Sequence, residues 1–395
     1  MIKVYRFFLF ALLMTVLSGS VLQAKNEKKF ADRAYKKAEA GLPLTEAEIK
    51  VVADSVHRRY PTLDTHNDTA TYWNHPDGDY GVKKGQVSFE KMRQGGLDGA
   101  FFAVYLDPGP IDKHSLDSVK AHADNEFELC HRYMAAHSDE AAYAYRAGDV
   151  DSLKRIGKRI VVQAIENGYP IGWDINNVKH YYDLGVRAIT LSHNGHNTIC
   201  DAAMDKKPPM YGGLSPFGIE VIKEMNRLGI MIDLSHGASS TLADVLKYSA
   251  APIIASHSGA RAIKDHKRNL TDDELRAIAA NGGTIQVATG RYFLSTLPKN
   301  EVGVSILCDH IMHVIEVAGE DHVGIGTDFD GGGGVVGLED VSKMKEITYE
   351  LLRRGLTPAQ LGKFWGGNIL RVWRDVEKVS FILSQNEKNR IFSYL

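Results

Sequence analysis

Short apolar runs alternate with amphipathic segments from about residue 62 onward. Eight of these runs have the length and composition of buried strands; they span residues 62–66, 99–106, 160–166, 187–193, 230–236, 252–257, 284–288 and 323–328. The intervening segments have helical periodicity and helix-end signals, such as Ser215 before Pro216 at a start, and Gly229 and Gly282 at ends. This alternation predicts an α/β fold, specifically a (β/α)8 TIM-type barrel. An open doubly wound sheet is the alternative, but the chain has no glycine-rich dinucleotide loop.

The N-terminal segment has a different pattern. MIKVYR carries two basic residues, the run FFLFALLMTVLSGSVLQA is apolar and ends in small residues, and KNEKK follows. This order is typical of a secretory signal peptide. We therefore expect cleavage near Ala24 and export to the periplasm or the extracellular space. An uncleaved membrane anchor is the alternative, although the run is short for a span of about 20 residues.

The patterns divide the chain into four parts. They are a signal peptide at 1–24, a helical lead-in at 25–60, a (β/α)8 barrel at 61–376 and a C-terminal tail at 377–395. Thr45 and Glu48 have capping-box spacing within the lead-in. The polar C-terminus lacks the hydrophobic tail of a GPI-type lipid anchor.

Composition narrows the classes of function. The 395 residues are 44% hydrophobic and 24% charged, with a net charge of −2. This is ordinary globular composition, and without a long basic run nucleic-acid binding is not expected. Cys130, Cys200 and Cys308 are spaced unlike a zinc knuckle, and in an exported protein two of them could form a disulfide.

Side chains that bind metals or move protons occur at the ends of six predicted strands. Because the C-terminal ends of barrel strands face one pocket, we expect these residues to converge; they are His66, Asp68, Glu166, His193, His236, His257 and Asp328. Each has an ordinary alternative, since a histidine or acidic residue after a strand is often a loop residue, and Asp330 is a local rival of Asp328.

Together these residues favour a metal centre. Histidine and carboxylate ligands suit Zn²⁺ or a similar divalent ion. Five ligands drawn from these seven side chains would exceed what one tetrahedral zinc with an open position needs. Two ions bridged by a carboxylate would use all five, and a shared water could become the nucleophile. His66 and Asp68 are then one arm of the site, and Glu166 is the bridge.

Longer stretches resemble a known family. The chain is similar to the membrane dipeptidases, also called renal dipeptidases, among the metal-dependent amidohydrolases. The matching stretches lie in the family's order between residues 60 and 375; they are DTHNDT, IENG, LSHNGHNT, GLSPFGIEVIKEMNRLGIMIDLSH, PIIASHSGAR, KRNLTDDEL, VGIGTDFDG and GLEDVSK. One departure is Asn167, where the family often has glycine after the bridging glutamate.

The resemblance implies a ligand set of five residues. His66 and Asp68 would hold one zinc ion. His236 and His257 would hold the other, and Glu166 would bridge the two.

The resemblance also implies three roles toward the substrate. His193 would contact the substrate and stabilise the oxyanion, with His196 as its nearest rival. Arg268 would pair with the substrate's C-terminal carboxylate, whereas by sequence alone it is expected to be a solvated surface charge. Asp328 would move a proton from the bridging water to the leaving amine.

The sequence therefore predicts an exported binuclear zinc dipeptidase, with possible tolerance of a C-terminal D-residue in the substrate. The alternative enzyme is a related amidohydrolase acting on N-acyl amino acids or lactones. A non-catalytic binding protein on the same fold is a further alternative, but none of the implied site residues is missing. The resemblance also suggests a homodimer, without indicating an interface.

Overall fold

The computed structural model of the protein describes residues 23, 25–73 and 85–392, with side chains up to Asn386. The predicted signal peptide at 1–24 lies almost entirely outside the described residues. Helix α1 covers residues 25–39. The further helices are α2 (Glu46–Arg59), α3 (Phe89–Gly95), α4 (Lys113–Ala136), α5 (Ala147–Arg155), α6 (Asn176–Asp183), α7 (Pro216–Leu228), α8 (Ser239–Tyr248), α9 (Asp272–Ala280), α10 (Arg291–Leu294), α11 (Val304–Ala318), α12 (Lys345–Arg353), α13 (Pro358–Gly362) and α14 (Asn368–Phe392).

Single 3₁₀ turns cover Thr69–Tyr72, Tyr169–Ile171, Glu320–His322 and Val341–Lys343, and Lys363–Gly367 is π-helical. The strands are β1 (Leu63–Asn67), β2 (Gly99–Tyr105), β3 (Ala141–Tyr143), β4 (Arg159–Glu166), β5 (Val186–Thr190), β6 (Met231–Asp233), β7 (Ile254–Ser258), β8 (Thr284–Val287) and β9 (Val323–Ile325). All eight predicted strands are present.

The strands form a nearly closed parallel barrel. Their order is β1-β2-β4-β5-β6-β7-β8-β9, and every pair along this path is parallel. The seam between the first and last strands is joined just beyond β9. Asp328 N donates to His66 O at 3.0 Å, and Asp68 N donates to Phe329 O at 2.9 Å. The predicted TIM-type architecture is confirmed.

β3 is a ninth strand that the sequence pattern did not predict. It has three residues, lies outside the barrel path and pairs with β4. A run of three residues is too short for periodicity to mark.

Two layers of apolar side chains pack on the two faces of the barrel wall. One layer lies between the strands and the surrounding helices. The other lies inside the barrel, where Leu63, Ile160 and Met231 near the strand starts pack with Leu370 and Trp373 of α14. Helix α14 thus covers the end of the barrel where the strands begin, which leaves the opposite end for the polar residues.

The predicted helix signals are present. Thr45 and Glu48 form a reciprocal capping box at α2. Ser215 caps α7 by accepting a hydrogen bond from Gly218 N, and Pro216 occupies the first helical position. Gly229 ends α7 with φ 84°, a left-handed conformation that glycine adopts without steric cost.

The segments flanking the barrel are mainly helical. The predicted lead-in contains α1 and α2, and α12 contacts α2 through an Arg353–Glu46 ion pair at 2.8 Å. Residues 377–392 of the predicted tail continue α14 without a break.

Cys130, Cys200 and Cys308 are buried and unpaired. Burial raises the pKa of the Cys130 and Cys200 thiols to about 12, so both remain protonated at neutral pH.

Candidate active site

The predicted polar residues converge at the C-terminal end of the barrel. His66, Glu166 and His257 lie within β1, β4 and β7. The other four lie one to three residues beyond a strand; they are Asp68, His193, His236 and Asp328. The predicted strands at 187–193, 230–236 and 323–328 therefore extend too far, because the chain leaves the sheet before the polar residue. His236 and Asp328 have φ values of 67° and 60°, which no strand accommodates.

Glu166 is at the centre of the cluster. Its Oε1 lies 3.0 Å from Nε2 of His236 and 3.3 Å from Nε2 of His257. Its Oε2 lies 3.6 Å from Nε2 of His66, which is also 3.6 Å from Oδ1 of Asp68. The two oxygens of one buried carboxylate thus face two different groups of side chains.

Neighbouring residues orient two of the histidines. Nδ1 of His236 bonds to Oδ1 of Asn194 at 2.9 Å, and this amide oxygen only accepts, so Nδ1 carries the proton. Nδ1 of His257 lies 2.8 Å from Oγ of Ser256, whose proton goes to Asp233 at 2.5 Å. Both rings therefore present an unprotonated Nε2 to Glu166. Such second partners typically orient metal-binding histidines.

The converging atoms need a cation. The Nε2 atoms of His236 and His257 are 3.0 Å apart, and both also approach Oε1 of Glu166. Burial lowers the pKa of His257 to about 3 and that of His236 well below its usual value, so both are neutral at pH 7. Three acceptor atoms in contact repel one another unless a positive charge lies between them.

His66 and Asp68 also need a positive charge nearby. Nε2 of His66 and Oδ1 of Asp68 are buried without a hydrogen-bond partner in the described part of the chain. Although burial alone would lower it, the carboxylates of Glu166 and Asp68 raise the pKa of His66 well above its usual value. Within the described residues, three overlapping groups have the spacing to hold a metal ion: His66–Asp68–Glu166, Glu166–His236–His257 and His66–His257–Asp328. This donor set fits a divalent metal.

Asp328 and its rival Asp330 occupy different environments. Oδ1 of Asp328 lies 3.9 Å from Nε2 of His66. Burial, followed by the charges of Asp68 and Glu166, raises the pKa of Asp328 well above its usual value. Asp330 instead accepts bonds from Thr69 Oγ1 at 2.5 Å and from a loop backbone amide. Asp330 therefore holds two loops together, and Asp328 is the carboxyl at the candidate metal site.

His193 and His196 are likewise separated. His193 lies on the cavity wall, with its ring 4.2 Å from that of His236. His196 accepts a bond from Ala202 N at 3.0 Å and lies 3.3 Å from Lys207 O. Those contacts direct His196 into the following loop, away from the cluster.

Arg268 is buried rather than solvated, with 4% of its surface exposed. Its Nη2 donates to His257 O at 3.1 Å, whereas its buried Nε has no partner among the described residues. Burial lowers the pKa of Arg268 to about 10, so the guanidinium is still charged at neutral pH. A buried cation with a free donor suits an anionic group of a ligand.

These side chains surround one cavity of about 530 Å³. Glu166, Arg268, His193 and Asp328 contribute polar atoms, and Phe293 contributes an aromatic wall beside Arg268. The volume is in the range of small-molecule sites.

Three supporting residues were missed by the sequence reasoning. Asn194 orients His236, Ser256 orients His257, and Asp233 orients Ser256. Asn194 and Ser256 are direct neighbours of predicted site histidines in the chain, which is a weak signal that could have marked them. The bond from Asn194 to His236 joins two loops and cannot be read from local pattern.

Comparison with known proteins identifies the family. A model described as membrane dipeptidase (peptidase family M19) matches residues 51–387. The chain belongs to the membrane dipeptidase family. The predicted enzyme class, a metallodipeptidase, is confirmed with it.

Relatives support the assignment over most of the dipeptidase chain. An uncharacterised dipeptidase of Schizosaccharomyces pombe is 35% identical over 304 residues, covering 75% of this chain and 73% of that protein. Dipeptidase verJ of Clonostachys rogersoniana is 33% identical over 356 residues, covering 85% and 88%.

Solved structures of similar proteins have the same fold. The probable dipeptidase PvdM of Pseudomonas aeruginosa has a TM-score of 0.78 and 29% identity, over 84% of this chain and 99% of that one. A metallopeptidase of Rhodobacter sphaeroides, solved with a phosphinate mimic of the dipeptide L-Ala-D-Ala, has a TM-score of 0.70 and 26% identity, over 80% and 99%.

Among the described residues of this dipeptidase, every helix is too short or too polar to span a bilayer. The zinc identity, the two-ion stoichiometry and the export signal stay predictions.

Proposed function

We propose that the protein is an exported dipeptidase with two zinc ions bridged by Glu166, which hydrolyses dipeptides to free amino acids. The observation that carries the proposal is the position of Glu166. One of its oxygens faces His236 and His257, and the other faces His66. A carboxylate shared in this way suits two ions side by side.

The same geometry supports the remaining ligands of the proposal. His66 and Asp68 would hold one ion, and His236 and His257 the other. When bound, the two ions supply a polarised substrate carbonyl and a water of lowered pKa. The rest of the chemistry falls to side chains of the chain itself.

Arg268 positions the substrate in this proposal. Its guanidinium is charged, buried and has a free Nε donor. A dipeptide's C-terminal carboxylate can pair with it, which places the scissile bond at a fixed distance from Arg268 and over the cluster. A longer peptide would have its carboxylate one residue too far away, which explains selectivity for dipeptides.

Asp328 and His193 handle the charge changes of hydrolysis. Asp328 accepts a proton from the attacking water and delivers it to the leaving amine nitrogen. His193 lies beside His236 on the cavity wall and donates a hydrogen bond to the developing oxyanion.

Tolerance of a D-residue at the C-terminal position is part of the proposal. A related metallopeptidase was solved with a mimic of L-Ala-D-Ala. The alternative substrate class, N-acyl amino acids, also ends in a carboxylate and would also pair with Arg268, whereas a lactone lacks that group.

The deciding experiment combines metal analysis with a substrate panel. The purified mature chain is expected to hold about two zinc ions. It should cleave L,L- and L,D-dipeptides and spare a tripeptide and an N-acetyl amino acid. Preferential cleavage of the N-acetyl compound would move the protein to the alternative class. A fully metallated enzyme that cleaves none of the compounds would refute the proposed activity.

Glu166→Gln tests the bridge within the same assay. We expect it to retain fewer than two ions and to lose activity, because an amide has only one good acceptor oxygen. Glu301→Gln, in the 295–303 connection, is the matched control. Full metal content in Glu166→Gln would contradict the bridging role.

Export and assembly are separate parts of the proposal. A charged start, an apolar run and small residues before Ala24 support a cleaved signal. Mass spectrometry of the exported protein should give a mature N-terminus near residue 25. Light scattering should give twice the mass of one chain if the predicted homodimer forms. An intact N-terminus would contradict the cleaved signal peptide. A monomeric mass would contradict the homodimer.

A further inference from the structure

We propose that Tyr105 and Asp107 form a positioning pair that fixes the ring of His193 for catalysis. The inference rests on the proposed role of His193 and extends it to two residues with no role so far. The Tyr105 hydroxyl lies 2.6 Å from Oδ1 of Asp107 and 3.4 Å from Nδ1 of His193. The three side chains thus form a chain of contacts at the edge of the cavity.

The direction of the hydrogen bonds follows from the donors present. An ionised Asp107 carboxylate can only accept, so the Tyr105 hydroxyl donates to it. A tyrosine phenol keeps its proton at neutral pH, and here that proton points to Asp107. The phenol oxygen is then available only as an acceptor, and Nδ1 of His193 must donate to it. This arrangement keeps a proton on Nδ1 of His193 and leaves Nε2 for the reaction, where Nε2 must also carry a proton to donate to the oxyanion.

The positions of Tyr105 and His193 in the fold also support a positioning role for Tyr105. Tyr105 is the last residue of β2 and pairs in register with Glu166 of β4, so its backbone is held by the sheet. His193 lies three residues beyond β5, on a loop, and its ring is half-buried. The two rings meet edge to face, with centroids 4.9 Å apart and planes at 77°. A residue fixed in the sheet therefore supports one on a loop.

Asp107 acts from outside the cluster. It lies two residues past the end of β2, is exposed and does not border the cavity that Glu166 and Arg268 line. Its contact with His193 passes through the Tyr105 hydroxyl. Asp107 and Tyr105 are therefore positioning residues, and removal of the hydroxyl should matter only while His193 is present.

A double-mutant cycle tests this dependence. Tyr105→Phe removes only the hydroxyl, and we expect kcat to fall about tenfold with KM changed less than threefold, because misorientation of a catalytic group lowers the rate of the chemical step. In a His193→Ala background the same substitution should change kcat less than twofold. Asp107→Asn should lower kcat less than Tyr105→Phe, since its amide oxygen still accepts.

Kinetics and metal analysis of the variants distinguish positioning of His193 by Tyr105 from direct contact with the substrate and from support of the proposed metal ligands. Tyr143→Phe, which removes a phenol that bonds Gln163 outside the cavity, is the matched control and should leave kcat unchanged. Additive effects of Tyr105→Phe and His193→Ala would overturn the inference, because Tyr105 would then act directly on the substrate. Loss of bound metal in Tyr105→Phe would also overturn it. A normal kcat in His193→Ala would instead refute the proposed role of His193 itself.

Discussion

Four residues at the catalytic end of the dipeptidase have the left-handed backbone that usually belongs to glycine. Their φ values lie between 60° and 78°; they are Asn167, His236, Asp328 and Asp330. Such conformations cost free energy and persist where surrounding contacts impose them. Asn167, which directly follows Glu166, donates to Leu106 O and accepts from Asn197. Its side chain thus fastens the turn after Glu166, which glycine could not do.

Asp328→Asn should lower the catalytic rate without lowering the stability of the fold. We expect kcat to fall by about 10²–10⁴-fold, because an amide cannot carry the proton to the leaving nitrogen. Thermal stability of the metal-free protein should not fall, since a neutral side chain no longer repels Asp68 and Glu166. Kinetics and thermal melts of the variant measure both effects. Asp273→Asn, on exposed α9, is the control. A near-normal kcat in Asp328→Asn would contradict the proposed role of Asp328 in proton transfer.

Arg268→Lys tests recognition of the substrate carboxylate. Lysine keeps the charge but loses the planar fork, so we expect KM for a dipeptide to rise about 10–100-fold with a smaller change in kcat. The preference for a free dipeptide over its C-terminal amide should shrink in parallel. Arg276→Lys on the exposed face of α9 provides the comparison. An undiminished preference for the free acid would show that another group binds the carboxylate.

At the scale of elements, buried polar contacts join helices that no apolar pattern would pair. His57 of α2 has Nδ1 2.9 Å from Gly96 O and Nε2 2.8 Å from Oγ1 of Thr348 in α12. Trp365 donates to the same Thr348 oxygen at 2.9 Å. Because Gly96 O only accepts, Nδ1 carries the proton of neutral His57, and the Thr348 hydroxyl then donates to Nε2.

This network predicts a pH dependence of stability. Burial lowers the pKa of His57 to about 4 in the folded state, against about 6.5 in the unfolded chain. The unfolded state binds the extra proton between these values, so the His57 contribution is fully present above pH 6.5. It is lost as pH falls toward 4, by about 3 kcal/mol.

Denaturant titrations of the metal-free protein from pH 4 to 8 can measure this contribution. His57→Gln should be less stable than the native chain at pH 7, and the difference should shrink as pH falls to 4. The difference between the two unfolding free energies at each pH does not include the titration of the proposed metal ligands, because both proteins share those residues. A difference independent of pH would show that His57 is not held neutral by the fold.

At the scale of the whole molecule, the barrel separates stability from chemistry. The base of the barrel has its own polar network, in which Asp98 accepts from Thr62 N at 3.0 Å and from Lys154 Nζ at 2.5 Å. Lys154 also donates to His57 O at 2.9 Å. This network ties the starts of β1 and β2 to α2 and α5, at the opposite end from the metal cluster. Residues there stabilise the fold without contacting the substrate cavity.

Asp98→Asn should therefore lower stability and leave catalysis unchanged, which is the opposite of the effects expected for Asp328→Asn. We expect a loss of about 1–3 kcal/mol in the free energy of unfolding, because Lys154 would keep a half-buried charge with a weaker partner. The kcat of the folded, metal-loaded enzyme should stay within twofold of normal. Chemical denaturation and steady-state kinetics on the same preparations check both. A large fall in kcat without loss of stability would contradict the separation of the two ends.

Much of the fold was predictable from local pattern. The eight barrel strands, the cap at Ser215 and the capping box of Thr45 and Glu48 follow from periodicity and short-range hydrogen bonding. The strand ends were less accurate, since predicted strand 230–236 ends at Asp233. Strand length depends on where the neighbouring strand stops pairing, which the sequence of one segment does not encode.

The sequence by itself determined the order of strands and helices. It also determined that metal-binding side chain types occur together at strand ends, because side-chain direction repeats every two residues in a strand. Tertiary structure decided how those side chains are used. It buried Arg268, turned Asp330 into a loop contact, bonded Asn194 to His236 and placed Tyr105 against His193. Most of these contacts join residues 42 to 261 positions apart, and only the closed barrel brings such distant segments within hydrogen-bonding distance.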